Sequence, residues 1–196
     1  MNVTTRYPLV DDLLEEYRDV INQDFQGYRN HITRMLNFCH YLLPDISPDD
    51  SKKIQIAAVF HDIALWTHDR VDYLEPSYQD CHQWLEKHDL KHWKEEIQII
   101  IDMHHLIYQY KGPYARIAEV FRQADLIDFS LGLIKNGVKR SFITAVKNEI
   151  PNAGFHKTLM RFTLVQLGRN PLNPFPMMRI KNIYGDSKGE EGNESA

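Results

Sequence analysis

The stretch AAVFHDIALW, residues 57–66, is apolar on both sides of a single interruption, His61-Asp62. An imidazole and a carboxylate inside such a run cost free energy unless something satisfies them. Two other His-Asp pairs, His68-Asp69 and His88-Asp89, lie in polar surroundings and make no such demand. Successive helix positions diverge by about 100°. With Ala57, Ala58, Val59, Phe60, Ile63, Ala64 and Leu65 around the pair, the helix reads as buried on most sides. Two readings stand at this point. The pair is a hydrogen-bonded couple that fixes packing, or it belongs to a metal site at a helix crossing, where a divalent cation compensates the carboxylate.

Working outward, the same oddity recurs. His31 sits on the apolar stripe of its segment, three residues after Tyr28 and four before Met35. Asp125 borders the stripe Ile117, Val120, Phe121, Ala124. His104 follows Ile97 by seven residues and Ile100 by four, which puts it on an inner helix face. One such residue is usually a satisfied core polar group; four segments each contributing one are harder to explain so. Imidazoles and carboxylates together form a nitrogen and oxygen ligand set that suits Mn, Mg, Co, Ni, Fe or Zn. A set of this kind leaves positions open for water and substrate.

The pattern around these residues is helical almost throughout. Apolar spacings of three and four predict helices over residues 9–22, 26–43, 48–66, 77–88, 91–107, 114–129, 136–148 and 155–167. Ser47-Pro48-Asp49-Asp50 is a strong helix start, and Ser77 reads as a second cap. No stretch alternates as a strand does. The expectation is an all-α fold: a single globular domain of about seven or eight helices around a central metal site, spanning residues 1–184. It includes the proline-rich PLNPFPMM segment, to which no role is given. Residues 185–196, with the sequence GDSKGEEGNESA at the chain's end, read as a disordered polar tail.

A length of 196 residues and a hydrophobic fraction of 43% fit one ordinary globular core. The formal net charge is -4 and no strongly basic segment stands out, so a nucleic-acid polymer is not an expected partner. No apolar run approaches the ~20 residues needed to cross a membrane. Cys39 and Cys81 show no metal-finger spacing and read as free thiols of a reducing compartment. The N-terminus lacks a signal-peptide pattern, and the expected location is cytoplasmic.

The order His31, then His61-Asp62, then Asp125, all on helices, resembles the HD-domain superfamily of metal-dependent phosphohydrolases. YRNHITRML resembles its first-histidine helix, IAAVFHDIA its central doublet, IDMHHLI a later helix ending in histidines, and FRQADLIDFSLG the helix of the last aspartate. The resemblance implies an all-helical fold holding one or two divalent metal ions, with His31, His61, Asp62 and Asp125 as ligands. It implies hydrolysis of a small phosphorylated metabolite or nucleotide, the cation lowering the pKa of water that attacks phosphorus.

Asp62, His104 and His105 are the candidate catalytic residues. Arg34, one turn from His31, and Arg122, one turn before Asp125, are candidates for phosphate binding. Trp66, Tyr73 and Tyr78 flank the loop after the doublet and are candidates for a pocket mouth. His82 and His104 or His105 could supply a second metal. Leu65 stands where nucleotidase-like members carry an acid, so the substrate stays open. Two alternatives accompany this reading: a di-iron, oxygenase-like enzyme on the same fold, and a non-catalytic metal- and nucleotide-binding module. A homodimer is also left open.

Overall fold

The computed structural model describes residues 2–68 and 73–169. The expected tail at 185–196, the PLNPFPMM segment and the last part of the expected domain, 170–184, lie outside the described residues. Among the described residues there are ten α-helices and two 3₁₀ turns, and no strand. Eight of the helices are eight residues or longer. No helix among them is long and apolar enough to cross a membrane. The two cysteines, Cys39 and Cys81, are free and buried.

The molecule is built around α3, Phe25–Leu42. Every residue from position 30 to 39 of this helix is buried. A helix enclosed on all sides must satisfy its polar side chains internally. Here Asn37 exchanges hydrogen bonds with the Thr4 backbone, and Thr33 donates to the Arg29 carbonyl. Asn30 accepts from Gln26 and donates to the Pro151 carbonyl.

Helix α4, Pro48–Phe60, crosses α3 and begins as the sequence predicts. Ser47 accepts from the Asp50 amide at 3.1 Å, Pro48 occupies the first turn, and two aspartates face the positive end of the dipole. Helix α1, Pro8–Glu15, buries Val10, Leu13 and Leu14 and packs against α4. Helices α6, Leu74–Lys87, and α7, Lys94–Met103, also pack on α4. Helix α8, Ala115–Phe129, lies along both α3 and α7. Helices α9, Arg140–Glu149, and α10, Phe155–Arg169, close the bundle against α3.

Several boundaries differ from the sequence reading, each for a local reason. The first predicted helix breaks after Glu15 into a short α2, Arg18–Ile21, which ends where Asn22 takes a positive φ of 51°. The third does not run through to Trp66. Its regular ladder stops at Phe60, residues 61–63 turn tightly with the Ile63 amide bonded to the Phe60 carbonyl, and a short α5, Ala64–Thr67, follows. Ser77 is not a cap: α6 starts three residues earlier, and the buried Ser77 hydroxyl accepts from the Ala64 amide at 3.3 Å. The fifth predicted helix opens with a 3₁₀ turn at Lys91–Trp93 and ends at Met103, so His104 and His105 lie in the turn beyond it.

Candidate metal centre

Five side chains from four places in the chain meet in the interior. His31 comes from the middle of α3, His61 and Asp62 from the turn ending α4, His104 from the turn ending α7, and Asp125 from α8. His31, His61, Asp62 and His104 are all buried, with exposures of 6% or less. The Nε2 atoms of His31 and His61 are 3.2 Å apart. Asp125 Oδ1 is 3.6 Å from His31 Nε2, Asp62 Oδ2 is 3.3 Å from His61 Nε2, and Asp62 Oδ1 is 3.6 Å from His104 Nε2.

The partner of one ring nitrogen of each imidazole tells which nitrogen is left to face the other side chains of the set. His61 Nδ1 lies 2.8 Å from the Ala58 carbonyl and His104 Nδ1 lies 2.5 Å from the Ile101 carbonyl. A carbonyl can only accept, so both Nδ1 atoms donate. Each histidine sits just past a helix end and bonds back three residues, satisfying a carbonyl that the helix terminus leaves open. His31 Nδ1 donates to Asp128 Oδ2 at 2.7 Å. Burial pushes His31 down to about 4, against the opposing pull of Asp128, so it is neutral at physiological pH. With each Nδ1 taken by an outer acceptor, all three imidazoles turn Nε2 toward one region, the arrangement that outer partners impose on metal-ligating histidines.

The Nε2 atoms of His31 and His61 approach to 3.2 Å, a separation at which one cation could take both as ligands. Asp62 Oδ1 and His104 Nε2 are buried and have no hydrogen-bond partner. The two carboxylates shift in opposite directions. Burial, reinforced by the charges of Asp62 and Asp128 and opposed by His104, lifts Asp125 to about 7. Burial also opposes ionisation of Asp62, but His61 and His104 outweigh it and hold that carboxyl well below its ordinary range. A divalent ion would let Asp125 ionise alongside Asp62. Metal bonds of about 2.0–2.1 Å place neighbouring donor atoms roughly 3.0–3.4 Å apart, close to the separations found here. Three sets of residues, each with donor atoms within 4.8 Å of one another, could hold an ion: His31, His61 and Asp125; His61, Asp62 and His104; His104, His105 and Asp125. The residues present fit a divalent cation.

Around this set lies a supporting layer. Asp128, one turn after Asp125, was not visible as a functional residue in the sequence. The signal was its spacing of three from Asp125 on an otherwise apolar turn. Burial raises the Asp128 carboxyl, but hydrogen bonds from Arg34 and His31 overcome this and hold it at about 2. Phe155 stacks on the His31 ring with centroids 4.0 Å apart and planes 12° apart. Tyr28 donates to the Val59 carbonyl at 2.8 Å and lies against both His31 and His61.

The two arginines expected on phosphate, Arg34 and Arg122, are each paired with a carboxylate of the chain. Arg34 forks onto Asp128, with Nε to Oδ1 at 2.6 Å and Nη2 to Oδ2 at 2.7 Å, and its Nη1 donates to the Pro151 carbonyl at 3.0 Å. A buried guanidinium needs a countercharge, and α8 brings one alongside α3. Arg122 forks onto Glu119, one turn earlier, and donates to the Leu106 carbonyl. His105 is placed beside His104, with ring centroids 3.8 Å apart, and bonds the Tyr73 hydroxyl through Nε2. His82 lies half-buried against Tyr78, outside the three ligand sets.

A family model described as HD domain matches residues 28–130, more than half of the chain. No curated protein and no solved structure shows significant similarity to it. The matched region contains His31, His61-Asp62, His104 and Asp125, and stops before α9 and α10. The chain thus belongs to the HD-domain superfamily, whose members are generally metal-dependent phosphohydrolases.

Proposed function

We propose that this protein is a phosphohydrolase that acts on a small phosphorylated metabolite or nucleotide, using a divalent ion held by His31, His61, Asp62 and Asp125. The observation that carries this reading is the clustering of inward Nε2 atoms and two carboxylates in overlapping sets of possible ligands, with each Nδ1 tied to an outer acceptor. An ion bound there would acidify water and neutralise phosphoryl oxygens. The chain's own residues do the rest. Asp128 and the Ala58 carbonyl hold His31 and His61 in the ligating tautomer. Asp62 orients water through Oδ1, which has no hydrogen-bond partner. His104 and His105 lie at the edge of the ligand set and would line the side of the leaving oxygen.

Elemental analysis of the purified protein, followed by a phosphatase screen across several divalent cations, tests this reading. Asp62→Ala is expected to lose both metal and turnover. Undiminished phosphatase activity in that variant after chelation would overturn the reading. One feature favours a second reading: two ligand sets share Asp125, and the set with His104 and His105 offers donors for a second ion. Two irons per chain with oxygen consumption would replace hydrolysis by the oxidative alternative. Metal binding without turnover of any phosphorylated compound would favour a binding module.

A further inference from the structure

Tyr73 precedes α6 and is 3% exposed. Its ring packs with Ala64 and Leu65, directly behind the His61-Asp62 turn. Packing explains the ring but not the hydroxyl, which is hydrogen-bonded to His105 Nε2. The two rings meet edge to face at 5.7 Å. His105 in turn belongs to the ligand set with His104 and Asp125. The Tyr73 oxygen is thus one hydrogen bond away from the metal centre.

A phosphoryl group at that centre needs hydrogen-bond donors. Arg34 and Arg122 bond to Asp128, Glu119 and backbone carbonyls. A phenol, with an ordinary pKa of about 10, carries its proton at neutral pH. A phenol can accept from an imidazole N–H and donate its own hydrogen onward. The His105–Tyr73 pair can therefore act as a donor chain that ends on the phenolic hydrogen. In a site shielded from water such a bond is stronger than at the surface.

Resting on the phosphohydrolase reading, we infer that Tyr73 is a substrate-contacting residue whose hydroxyl, backed by His105, donates a hydrogen bond to a phosphoryl oxygen at the metal centre. The experiment uses the full chain loaded with Mn²⁺, with inorganic phosphate as the probe. Calorimetric titration of wild type and Tyr73→Phe is compared at equal, measured metal content. Loss of a hydrogen bond to a charged group predicts phosphate binding weakened by about tenfold or more, with metal content unchanged. Equal phosphate affinity in the two proteins overturns the role of Tyr73 and leaves the phosphohydrolase reading standing. Metal binding without phosphate binding in the wild type overturns both. A variant that loses its metal or its helical circular dichroism assigns the hydroxyl to support of the fold and overturns the inference.

Discussion

Asp128 shows how a residue outside the ligand set can govern it. It accepts from His31 Nδ1 and from both arms of the Arg34 fork. Asp128→Asn keeps the shape but cannot hold the same charge. Metal affinity is expected to fall about 10–100-fold, read by titration with a chelating indicator. Arg34→Met leaves the Asp128 charge buried beside His31 without its guanidinium. Breaking one side of a buried pair costs about 3–5 kcal/mol. Urea unfolding should show that loss, while the double variant Arg34→Met with Asp128→Leu should recover much of it. These side chains divide by legibility. His31, His61, Asp62, His104 and Asp125 each betrayed themselves as polar groups in an apolar pattern. The fate of Arg34 was not readable, because its partner lies 94 positions away and only helix packing brings it within reach.

At the scale of elements, the segment between α9 and α10 does work for α3. Gly27 allows it to come close: a Cβ there would stand 3.0 Å from the Ala153 carbonyl and 3.1 Å from the Phe155 amide. The approach sets Phe155 flat on His31 and gives the Pro151 carbonyl to Arg34 and Asn30. Phe155→Leu, which keeps bulk but not the flat face, should loosen His31 and weaken metal binding several-fold, with the fold intact by circular dichroism. Asp24 ties α10 down, accepting from Thr158 at 2.8 Å, Arg161 at 2.5 Å and Trp66 at 3.1 Å. Burial alone would raise the Asp24 carboxyl, but these three donors hold it below its ordinary value. A depressed folded-state pKa contributes stability that is present above the unfolded value and lost as pH falls through the folded one. Acid unfolding should therefore lose this contribution below about pH 4, and Asp24→Asn should flatten that part of the profile. Ser77 teaches the converse lesson. Its cap-like position predicted a helix start, yet the hydroxyl serves the Ala64 amide across the turn, because a buried donor on a neighbouring element outcompeted the local role.

At the scale of the whole molecule, the ion and the fold support each other. Helices α3, α4, α7 and α8 converge on a buried set containing two carboxylates and orphaned acceptors. A ligand that binds the folded chain alone stabilises it by about 2.7 kcal/mol at a hundred times its dissociation constant. Added divalent metal should raise the melting temperature, chelation should lower it, and Asp62→Ala should abolish the difference, as differential scanning fluorimetry would show. The sequence by itself determined the all-helical class, the approximate helices and the residues that cannot rest in an apolar core unaided, since periodicity and burial cost are local properties of the chain. Only the tertiary structure decided which nitrogen of each histidine faces inward and which acid takes Arg34. It also placed a phenylalanine from beyond the family's matched region on His31. Those outcomes depend on distances between elements far apart in the chain, and packing alone fixes such distances.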